Sequence, residues 1–250
     1  MQWKCEAIRG KRSRQTFMRK VYHGSDHILK IPAFGGGKAD NDYGNGFYTT
    51  EYEDRARSWA ALNGNPDCCI VNEYELDMDH LKVLDLSHEG VLAWIAEVVA
   101  NRGINQEAAN IVGERLVERY RVNSDYADII VGYRADDSYT QVIEAFLLNQ
   151  LNISEVERLF YKGSLGNQIF LKSEKAFEHI RWKNAYKVKQ SEVDISYDLI
   201  ARREVNRFLN ERLKAILLNG YEVSGITAQY SIKNQLAYYA EEDYYEITGI

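Results

Sequence analysis

Two short motifs place a histidine, several glycines and a tyrosine where strand-like segments of the chain end and begin. His23 is followed by Gly24 and Ser25, and the segment DYGNGFYTT runs from Asp42 to Thr50. Because a glycine has no side chain in front of its backbone, its N–H and C=O groups can grip a carboxamide. The His23 imidazole can hold a ribose hydroxyl, and the ring of Tyr48 can stack on a flat ligand. The two motifs therefore suit a site for a planar ring that bears an amide.

Neither motif is specific by itself, because HGS and GxG triplets also occur by chance. A lone histidine at the end of a strand is often structural rather than catalytic. A third polar group, Arg134, Asp136 and Asp137, follows the strand-like segment IIVGY and has two interpretations. Arg134 could meet a pyrophosphate, whereas Asp137 could simply cap the helix that follows.

The segments that must position these residues predict a mixed α+β fold. Runs rich in β-branched and aromatic residues predict strands at KVYHGS, GFYTT, CCIVNEYELD, LKVLDL, ADIIVGY, NQIFLKS and YKVK, with the third and fourth forming a hairpin. Periodic apolar residues and end signals predict helices at EYEDRARSWAALNG, EGVLAWIAEVVANR, NQEAANIVGERLVERYR, SYTQVIEAFLLNQL, ISEVERLFYKG and EKAFEHIRW. Ser154 is the expected N-cap of the fifth of these helices. One long helix is predicted from about residue 193, with Gly220 ending it.

Composition predicts a globular protein with three segments. The chain has 250 residues, of which 45 % are hydrophobic, and this suits one large domain with an appendage. We predict a basic N-terminal arm (1–19), a central domain (20–190) and a helical C-terminal appendage (191–250). The three cysteines fit neither a disulfide framework nor a zinc pattern, and the apolar runs are too short to span a bilayer. Because the N-terminus also does not resemble a signal peptide, we expect a cytoplasmic protein without membrane contact.

Together, the motifs resemble those of the ADP-ribosyltransferase superfamily, in its poly(ADP-ribose) polymerase-like branch. That branch has H-G-S and later F-G-x-G-aliphatic-Tyr, which are matched in order by His23, Gly24, Ser25, Tyr43, Gly44, Gly46, Phe47 and Tyr48. It also carries a stacking aromatic eleven positions after the tyrosine, where this chain has Trp59. The resemblance is closer to an uncharacterised bacterial family assigned to the superfamily, echoed by Trp59-Ala60, IIVGYRADD (129–137) and GNQIFLKSEKA (166–176). It covers about residues 20–180.

The resemblance implies a split antiparallel β-sheet core that binds NAD⁺ as a substrate, without a metal. By this likeness, His23 holds the ribose hydroxyl on the adenosine side, and the Gly24 backbone clamps the nicotinamide carboxamide. Tyr48 and Trp59 would sandwich the nicotinamide ring. The catalytic positions would be His23, Tyr48 and Gln168. The other residues predicted to line the NAD⁺ site are Ser25, Tyr43, Gly46, Phe47, Thr49, Arg134 and Asp137.

Gln168 departs from the acid that most of these enzymes carry at the third catalytic position. Breaking the N-glycosidic bond of NAD⁺ builds an oxocarbenium-like ribose. A carboxylate about 4 Å away is worth roughly 4 kcal/mol at an effective dielectric near 20, on the order of a thousandfold in rate. Glutamine forgoes this charge, although its carbonyl oxygen still accepts a hydrogen bond from the ribose 2′-hydroxyl. Alternatively, Gln168 is a strand-end residue that satisfies a loop.

The resemblance thus implies a mono-ADP-ribosyltransferase that moves ADP-ribose from NAD⁺ to a macromolecule and releases nicotinamide. Bacterial domains of this kind tend to be toxins or effectors, and an antitoxin or immunity protein would be a separate chain. The acceptor stays open between protein, RNA, DNA and water, and the net charge of −6 leans towards protein. Two alternatives also stay open: an NAD⁺ hydrolase, and a non-catalytic module that binds NAD⁺ or an ADP-ribosylated ligand.

Overall fold

The computed structural model describes residues 18–63, 65, 67–134, 137–162, 167–193 and 195–234, and within them the chain forms seven strands and eight α-helices. The strands are β1 (Met18–Ser25), β2 (Phe47–Thr49), β3 (Cys69–Asp77), β4 (Val83–Asp85), β5 (Ile129–Tyr133), β6 (Asn167–Leu171) and β7 (Ile180–Val188). The helices are α1 (Glu53–Asn63), α2 (Val91–Arg102), α3 (Glu107–Tyr120), α4 (Asp137–Leu147), α5 (Ile153–Lys162), α6 (Glu174–Glu178), α7 (Ser196–Asn219) and α8 (Ala228–Asn234). The predicted α+β class is confirmed.

The strands form two sheets that touch at one backbone bridge. The first sheet has the order β1-β3-β7 and is antiparallel, and the second has the order β2-β6-β5-β4 with a parallel pair only between β4 and β5. Tyr22 of β1 and Thr50, just after β2, exchange both of their backbone hydrogen bonds, at 2.7 and 3.0 Å. This bridge joins the two sheets edge to edge.

The predicted hairpin of β3 and β4 is wrong, because the two strands belong to different sheets. β3 lies between β1 and β7, whereas β4 pairs with β5. The start of β4 is held there by reciprocal bonds: the Lys82 N–H donates to the Asp128 carboxylate at 2.9 Å, and the Asp128 N–H donates back to the Lys82 carbonyl at 2.8 Å. A contact across 46 positions therefore decides the pairing of this short strand.

Three clusters of buried apolar side chains hold the two sheets and the helices together. One lies between the sheets and includes Val21, Phe47 and Leu171, and a second packs α1 on the outer face of β1 and β3. The largest covers the other face of the second sheet and is built mainly by α2–α5, with Trp94 fully buried in it. Burial of this apolar surface is the main stabilising contribution, at about 25 cal/mol per Å².

Helix α5 begins at Ile153, two residues before the start that an N-cap at Ser154 would give. The Asn152 side chain accepts a hydrogen bond from the Glu155 N–H at 3.0 Å, and the Glu155 carboxylate accepts one from the Asn152 N–H at 3.1 Å. This reciprocal pair is a capping box, and its N-cap is Asn152, two residues before the predicted Ser154.

The described part of the C-terminal segment packs into the same cluster as α2–α5. Val205 of α7 and Ala228 of α8 are buried there, and the Tyr120 hydroxyl donates to the Ser231 carbonyl at 2.9 Å. Gly220 ends α7 in the left-handed conformation, as predicted, with φ of 64°. The basic arm up to residue 17 and the tyrosine-rich end after residue 234 lie outside the described residues. No helix in the described ranges is long and apolar enough to cross a membrane.

Candidate functional site

The candidate site begins where β1 and β2 separate, directly after the bridge between Tyr22 and Thr50. In a continued antiparallel ladder, Gly24 and Tyr48 would be the next pair to exchange hydrogen bonds. Instead, the His23 imidazole donates from Nδ1 to the Tyr48 carbonyl at 2.7 Å. The Gly24 N–H and C=O point to the same edge as those of Tyr22, because alternate residues of a strand share a direction. They consequently face the space between the two strands, which we call the β1–β2 opening.

The His23 imidazole is neutral, with one ring nitrogen that donates a hydrogen bond and one that can accept. A carbonyl can only accept, so the bond to Tyr48 fixes the proton on Nδ1 and leaves Nε2 as an acceptor. Burial lowers the pKa of His23 from its ordinary value of 6.5, although the hydrogen bond to the Tyr48 carbonyl acts in the opposite direction. The ring also lies 4.7 Å from that of Phe47, in a tilted contact. The imidazole is therefore fixed in position and can accept a hydrogen bond from a hydroxyl group through Nε2.

The lowered pKa of His23 predicts a loss of stability in mild acid. The unfolded chain takes up this proton at about pH 6.5, whereas the folded chain resists it until a lower pH, so stability is complete above pH 6.5 and falls below it. One proton sets a ceiling of about 1.4 kcal/mol per pH unit on this contribution. Urea unfolding at about pH 7.5 and 5.5 should show a larger acid loss in the wild type than in His23→Asn. Equal losses would contradict the burial of a neutral imidazole.

The Tyr48 hydroxyl is engaged within the protein. The hydroxyl donates to the Gly44 carbonyl at 2.8 Å and accepts from the Tyr43 N–H at 3.0 Å, which anchors the loop that precedes β2. Burial raises the pKa of Tyr48, so this phenol stays protonated. The ring lies 4.7 Å from that of Phe170 and nearly parallel to that of Tyr43 at 6.3 Å. Stacking of Tyr48 with Trp59 on a shared ligand stays a prediction.

The glycines of both motifs are required by the packing of the chain on itself. A Cβ on Gly24 would lie 2.0 Å from the Ala56 carbonyl oxygen and 2.7 Å from the Ala60 nitrogen of α1. A Cβ on Gly46 would lie 2.3 Å from the Phe170 ring. Sequence reasoning assigned these glycines to the close approach of a ligand, but helix α1 and strand β6 occupy that space. For Gly24, the side that faces α1 differs from the backbone edge that faces the β1–β2 opening.

The close packing of α1 on Gly24 places Trp59 beside the end of β1. The Trp59 Cβ lies 3.0 Å from the position that a Gly24 Cβ would take. The Arg134 guanidinium lies over the Trp59 ring, 4.9 Å from its centroid. Among the described residues, the Trp59 Nε1 is buried without a hydrogen-bond partner. A buried indole N–H without a partner carries a desolvation cost.

Gln168 is tied to a buried carboxylate that sequence reasoning missed. Its side-chain nitrogen donates to Asp42 Oδ2 at 2.8 Å and to the Tyr133 carbonyl at 3.2 Å. Gln168 is 3 % exposed and Asp42 is 6 % exposed. Arg102 pairs with the other oxygen of Asp42 at 3.0 Å. The only sequence signal for Asp42 was its place at the start of the DYGNGFYTT motif.

The Tyr133 carbonyl collects further donors at the end of β5. The Tyr43 hydroxyl and the Trp94 Nε1 donate to it at 2.5 and 3.0 Å, and Trp94 also donates to the Tyr43 hydroxyl at 2.9 Å. Burial raises the pKa of Tyr43, and the neighbouring Asp42 acts in the same direction, so the phenol stays protonated. This network fixes the backbone of Tyr133, and the next residue, Arg134, lies over the Trp59 ring.

The other residues predicted for the NAD⁺ site contact other parts of the protein or lie outside the described residues. Phe47 is part of the core between the sheets, and the buried Thr49 hydroxyl donates to the Ile169 carbonyl at 3.0 Å. The Ser25 hydroxyl donates to the His27 carbonyl at 2.6 Å, within the loop after β1. Asp137 begins α4, and its side chain, like Asp136 as a whole, is outside the described part of the chain.

Contacts thus connect His23 with Tyr48, Gly24 with Trp59, Trp59 with Arg134, and Gln168 with the end of β5. The Gly24 backbone, the Trp59 ring, the Arg134 guanidinium and the Gln168 amide are therefore linked by a chain of contacts that starts at the β1–β2 opening. Within the described ranges, no cluster of three or more histidine, cysteine, aspartate or glutamate side chains could hold a metal ion.

Residues 19–182 match the model of a family described as a protein of unknown function, DUF3990. No curated protein and no solved structure matches the chain. The matched range begins in β1 and ends in β7, so it includes every residue around the β1–β2 opening and excludes α7 and α8.

Proposed function

This chain belongs to the DUF3990 family of proteins of unknown function, and from the residues around its β1–β2 opening we propose that it is an NAD⁺-dependent mono-ADP-ribosyltransferase. In this proposal the two bridged sheets are the split core of the ADP-ribosyltransferase superfamily. Nicotinamide occupies the β1–β2 opening and is released when ADP-ribose passes to an acceptor. We extend the proposal to a bacterial toxin or effector that acts in the cytoplasm on a macromolecule, with protein favoured as the acceptor by the acidic net charge.

One observation carries the proposal: the ladder between β1 and β2 ends so that the backbone of Gly24 faces an opening. The Tyr48 carbonyl, which would have received the Gly24 N–H, is taken by the His23 imidazole. A carboxamide has one acceptor oxygen and two donor hydrogens, so it complements the paired N–H and C=O of a single residue. Nicotinamide is a flat ring with this group, and it would bind as an extra rung of the ladder.

The surrounding side chains suit the rest of NAD⁺. The indole of Trp59 offers a face for the pyridinium ring, and its buried Nε1 offers an N–H to an oxygen of the ligand. His23 offers Nε2 as an acceptor for a ribose hydroxyl. The Arg134 guanidinium, now over the Trp59 ring at 4.9 Å, suits a pyrophosphate oxygen.

The proposed reaction breaks the bond between C1′ of the ribose and the nicotinamide nitrogen. The bonding electrons leave with nicotinamide, which becomes neutral, and the ribose becomes an oxocarbenium ion. Gln168 Oε1 would accept the 2′-hydroxyl hydrogen bond and place a partial negative charge near this cation. An acceptor nucleophile then bonds to C1′ and loses its proton to solvent. With water as the acceptor, the same site is an NAD⁺ hydrolase.

A non-catalytic NAD⁺-binding module is the second candidate, and a specific observation favours it. The acid position is occupied by Gln168, whose nitrogen is engaged by Asp42 and the Tyr133 carbonyl at 2.8 and 3.2 Å. A site without a carboxylate towards the ribose binds NAD⁺ as well as an active one but stabilises the oxocarbenium ion less.

Trp59 and Trp182 form a matched pair for testing this proposal. Within the described residues, both have a buried Nε1 without a partner. Both also carry a cation over the ring: Arg134 at 4.9 Å for Trp59, and Lys30 at 5.1 Å for Trp182. Trp182 lies on β7, the strand of the first sheet farthest from the β1–β2 opening.

We expect Trp59→Leu to weaken NAD⁺ binding and Trp182→Leu to leave it unchanged. Stacking of a flat heterocycle on an aromatic ring is worth about 1–3 kcal/mol, so calorimetry should show a Kd increase of roughly five- to a hundredfold. Nicotinamide release from labelled NAD⁺, with and without cell lysate, then separates the outcomes. Release that modifies a lysate component indicates the transferase, release without modification the hydrolase, and binding without release the module. A wild type that does not bind NAD⁺, or equal binding by both variants, would refute the site.

A further inference from the structure

The loop before β2 contributes a buried carboxylate that the resemblance assigns to no role. Asp42 is 6 % exposed and lies one hydrogen bond behind Gln168, at 2.8 Å from its side-chain nitrogen. Its second oxygen is paired with Arg102 of α2 at 3.0 Å, and its backbone carbonyl accepts from the Asn101 side chain at 3.3 Å. A buried carboxylate is costly unless it is paired and hydrogen-bonded, and both conditions are met here.

Resting on the proposed function, we propose that Asp42, held by Arg102, is a positioning residue that presents the carbonyl oxygen of Gln168 to the ribose. The Asp42 carboxylate and the Tyr133 carbonyl are both pure acceptors, so they fix the amide nitrogen of Gln168 on their side. The oxygen, Oε1, is consequently the end of the amide that is left to accept. An untethered glutamine could turn its N–H₂ group towards the ribose, where it would oppose the developing positive charge.

The ionised partner also changes the electronic character of the amide. A hydrogen bond to a carboxylate is about twice as strong as one between neutral groups, and it polarises the acceptor end of the same amide. The carboxylate that most enzymes of the superfamily carry at the third catalytic position thus lies one hydrogen bond further back in this chain, where Arg102 balances its charge. The sequence shows a neutral Gln168, but the pair of Gln168 and Asp42 still carries a carboxylate.

This arrangement alters what a Gln168→Glu substitution would do. The new carboxylate oxygen would lie where the Gln168 nitrogen now lies, 2.8 Å from Asp42, with no hydrogen between the two groups unless one of them holds a proton. Two carboxylates at this distance cannot both ionise readily. The informative variant is therefore the exchange, Asp42→Asn with Gln168→Glu, which reverses the direction of the hydrogen bond and keeps one carboxylate and one amide.

The test compares Asp42→Asn, Gln168→Glu and the double variant with the wild type and with Glu155→Gln. Glu155 forms a partly buried ion pair with Arg212, between α5 and α7. Three quantities are measured: the Kd for NAD⁺ by calorimetry, kcat for nicotinamide release, and the NMR signals of the Gln168 side-chain N–H₂ in the ligand-free protein.

We expect Asp42→Asn to shift the Gln168 N–H₂ signals and to lower kcat about ten- to a hundredfold, the effect of losing one charge-assisted hydrogen bond. The Kd for NAD⁺ should stay within about threefold, because the carboxamide grip and Trp59 are untouched. The double variant should recover turnover relative to Gln168→Glu, because both place a carboxylate oxygen near the Tyr133 carbonyl and only the double variant restores the hydrogen bond to position 42. Glu155→Gln should match the wild type.

Wild-type kcat in Asp42→Asn, or a double variant no faster than Gln168→Glu, would overturn the positioning role while the proposed function stands. A wild type that releases no nicotinamide, whether or not it binds NAD⁺, would overturn the proposed function instead, and the positioning role with it. If Asp42→Asn does not fold, the double variant decides, because it restores the hydrogen bond: turnover above that of Gln168→Glu supports the role, and turnover no higher refutes it.

Discussion

His23→Ala is expected to lower nicotinamide release about a hundredfold, because this side chain bonds to the Tyr48 carbonyl and, in the proposed function, also faces NAD⁺. Its Nδ1 replaces the hydrogen bond that the Tyr48 carbonyl would otherwise receive from β1. Its Nε2 is the acceptor left for a ribose hydroxyl. Alanine removes both groups and also leaves the Tyr48 carbonyl without this donor, at an expected cost of about 1–3 kcal/mol in the free energy of unfolding.

Two isosteric variants separate these roles. His23→Asn keeps an N–H where Nδ1 lies, so it should fold as the wild type does and lose only NAD⁺ affinity, by about tenfold. His23→Gln reaches the position of Nε2 instead, so it should lose stability and retain more affinity. The control is His27→Asn, because His27 is an exposed histidine that bonds to its neighbour Asp26. Urea unfolding and NAD⁺ calorimetry on the four proteins give both quantities, and equal behaviour of the asparagine and glutamine variants would contradict the assignment.

Gly24→Ala is expected to cost about 3 kcal/mol or more in the free energy of unfolding. The added Cβ would lie 2.0 Å from the Ala56 carbonyl oxygen and 2.7 Å from the Ala60 nitrogen. Both are backbone atoms of α1, so a side-chain rotation cannot relieve the overlap, and the whole helix must shift. That shift would carry Trp59 away from the β1–β2 opening, so NAD⁺ binding should fall together with stability.

Gly220→Ala is the control for the loss of glycine alone. Gly220 has a positive φ of 64° but no atom within 4 Å of the position of its Cβ. Alanine there should cost only about 1–2 kcal/mol, from the left-handed backbone, and leave NAD⁺ binding unchanged. Urea titrations compare the two variants directly. A loss in Gly24→Ala no larger than that in Gly220→Ala would show that α1 does not lie against β1 as described.

The order of these elements along the chain could be predicted because each signal is local. The Phe-Tyr-Thr run marks β2, the apolar stripe from Val91 to Val99 marks α2, and Gly220 marks the end of α7. Each depends on side-chain periodicity or backbone preference over a few residues. The errors arose where the nearest partner is distant in sequence. The strand β4 pairs with β5 rather than with β3, because Lys82 and Asp128 bond across 46 positions.

For the candidate site, the residue types were visible in the sequence but their tasks were not. A glycine needs space in front of its backbone, and the sequence cannot say whether a ligand or the chain itself fills that space. For Gly24 and Gly46, α1 and the Phe170 ring fill it. Tyr48 was predicted to stack on a ligand, and the structure adds that its hydroxyl anchors the loop of Tyr43 and Gly44.

By itself, the sequence determined the α+β class and the order of most helices and strands. Only the tertiary structure decided which strands share a sheet, where the ladder between β1 and β2 ends, and which charge stands behind Gln168. The physical reason is distance along the chain. Asp42 and Gln168 are 126 positions apart, and a hydrogen bond between them leaves no periodicity or spacing in the sequence.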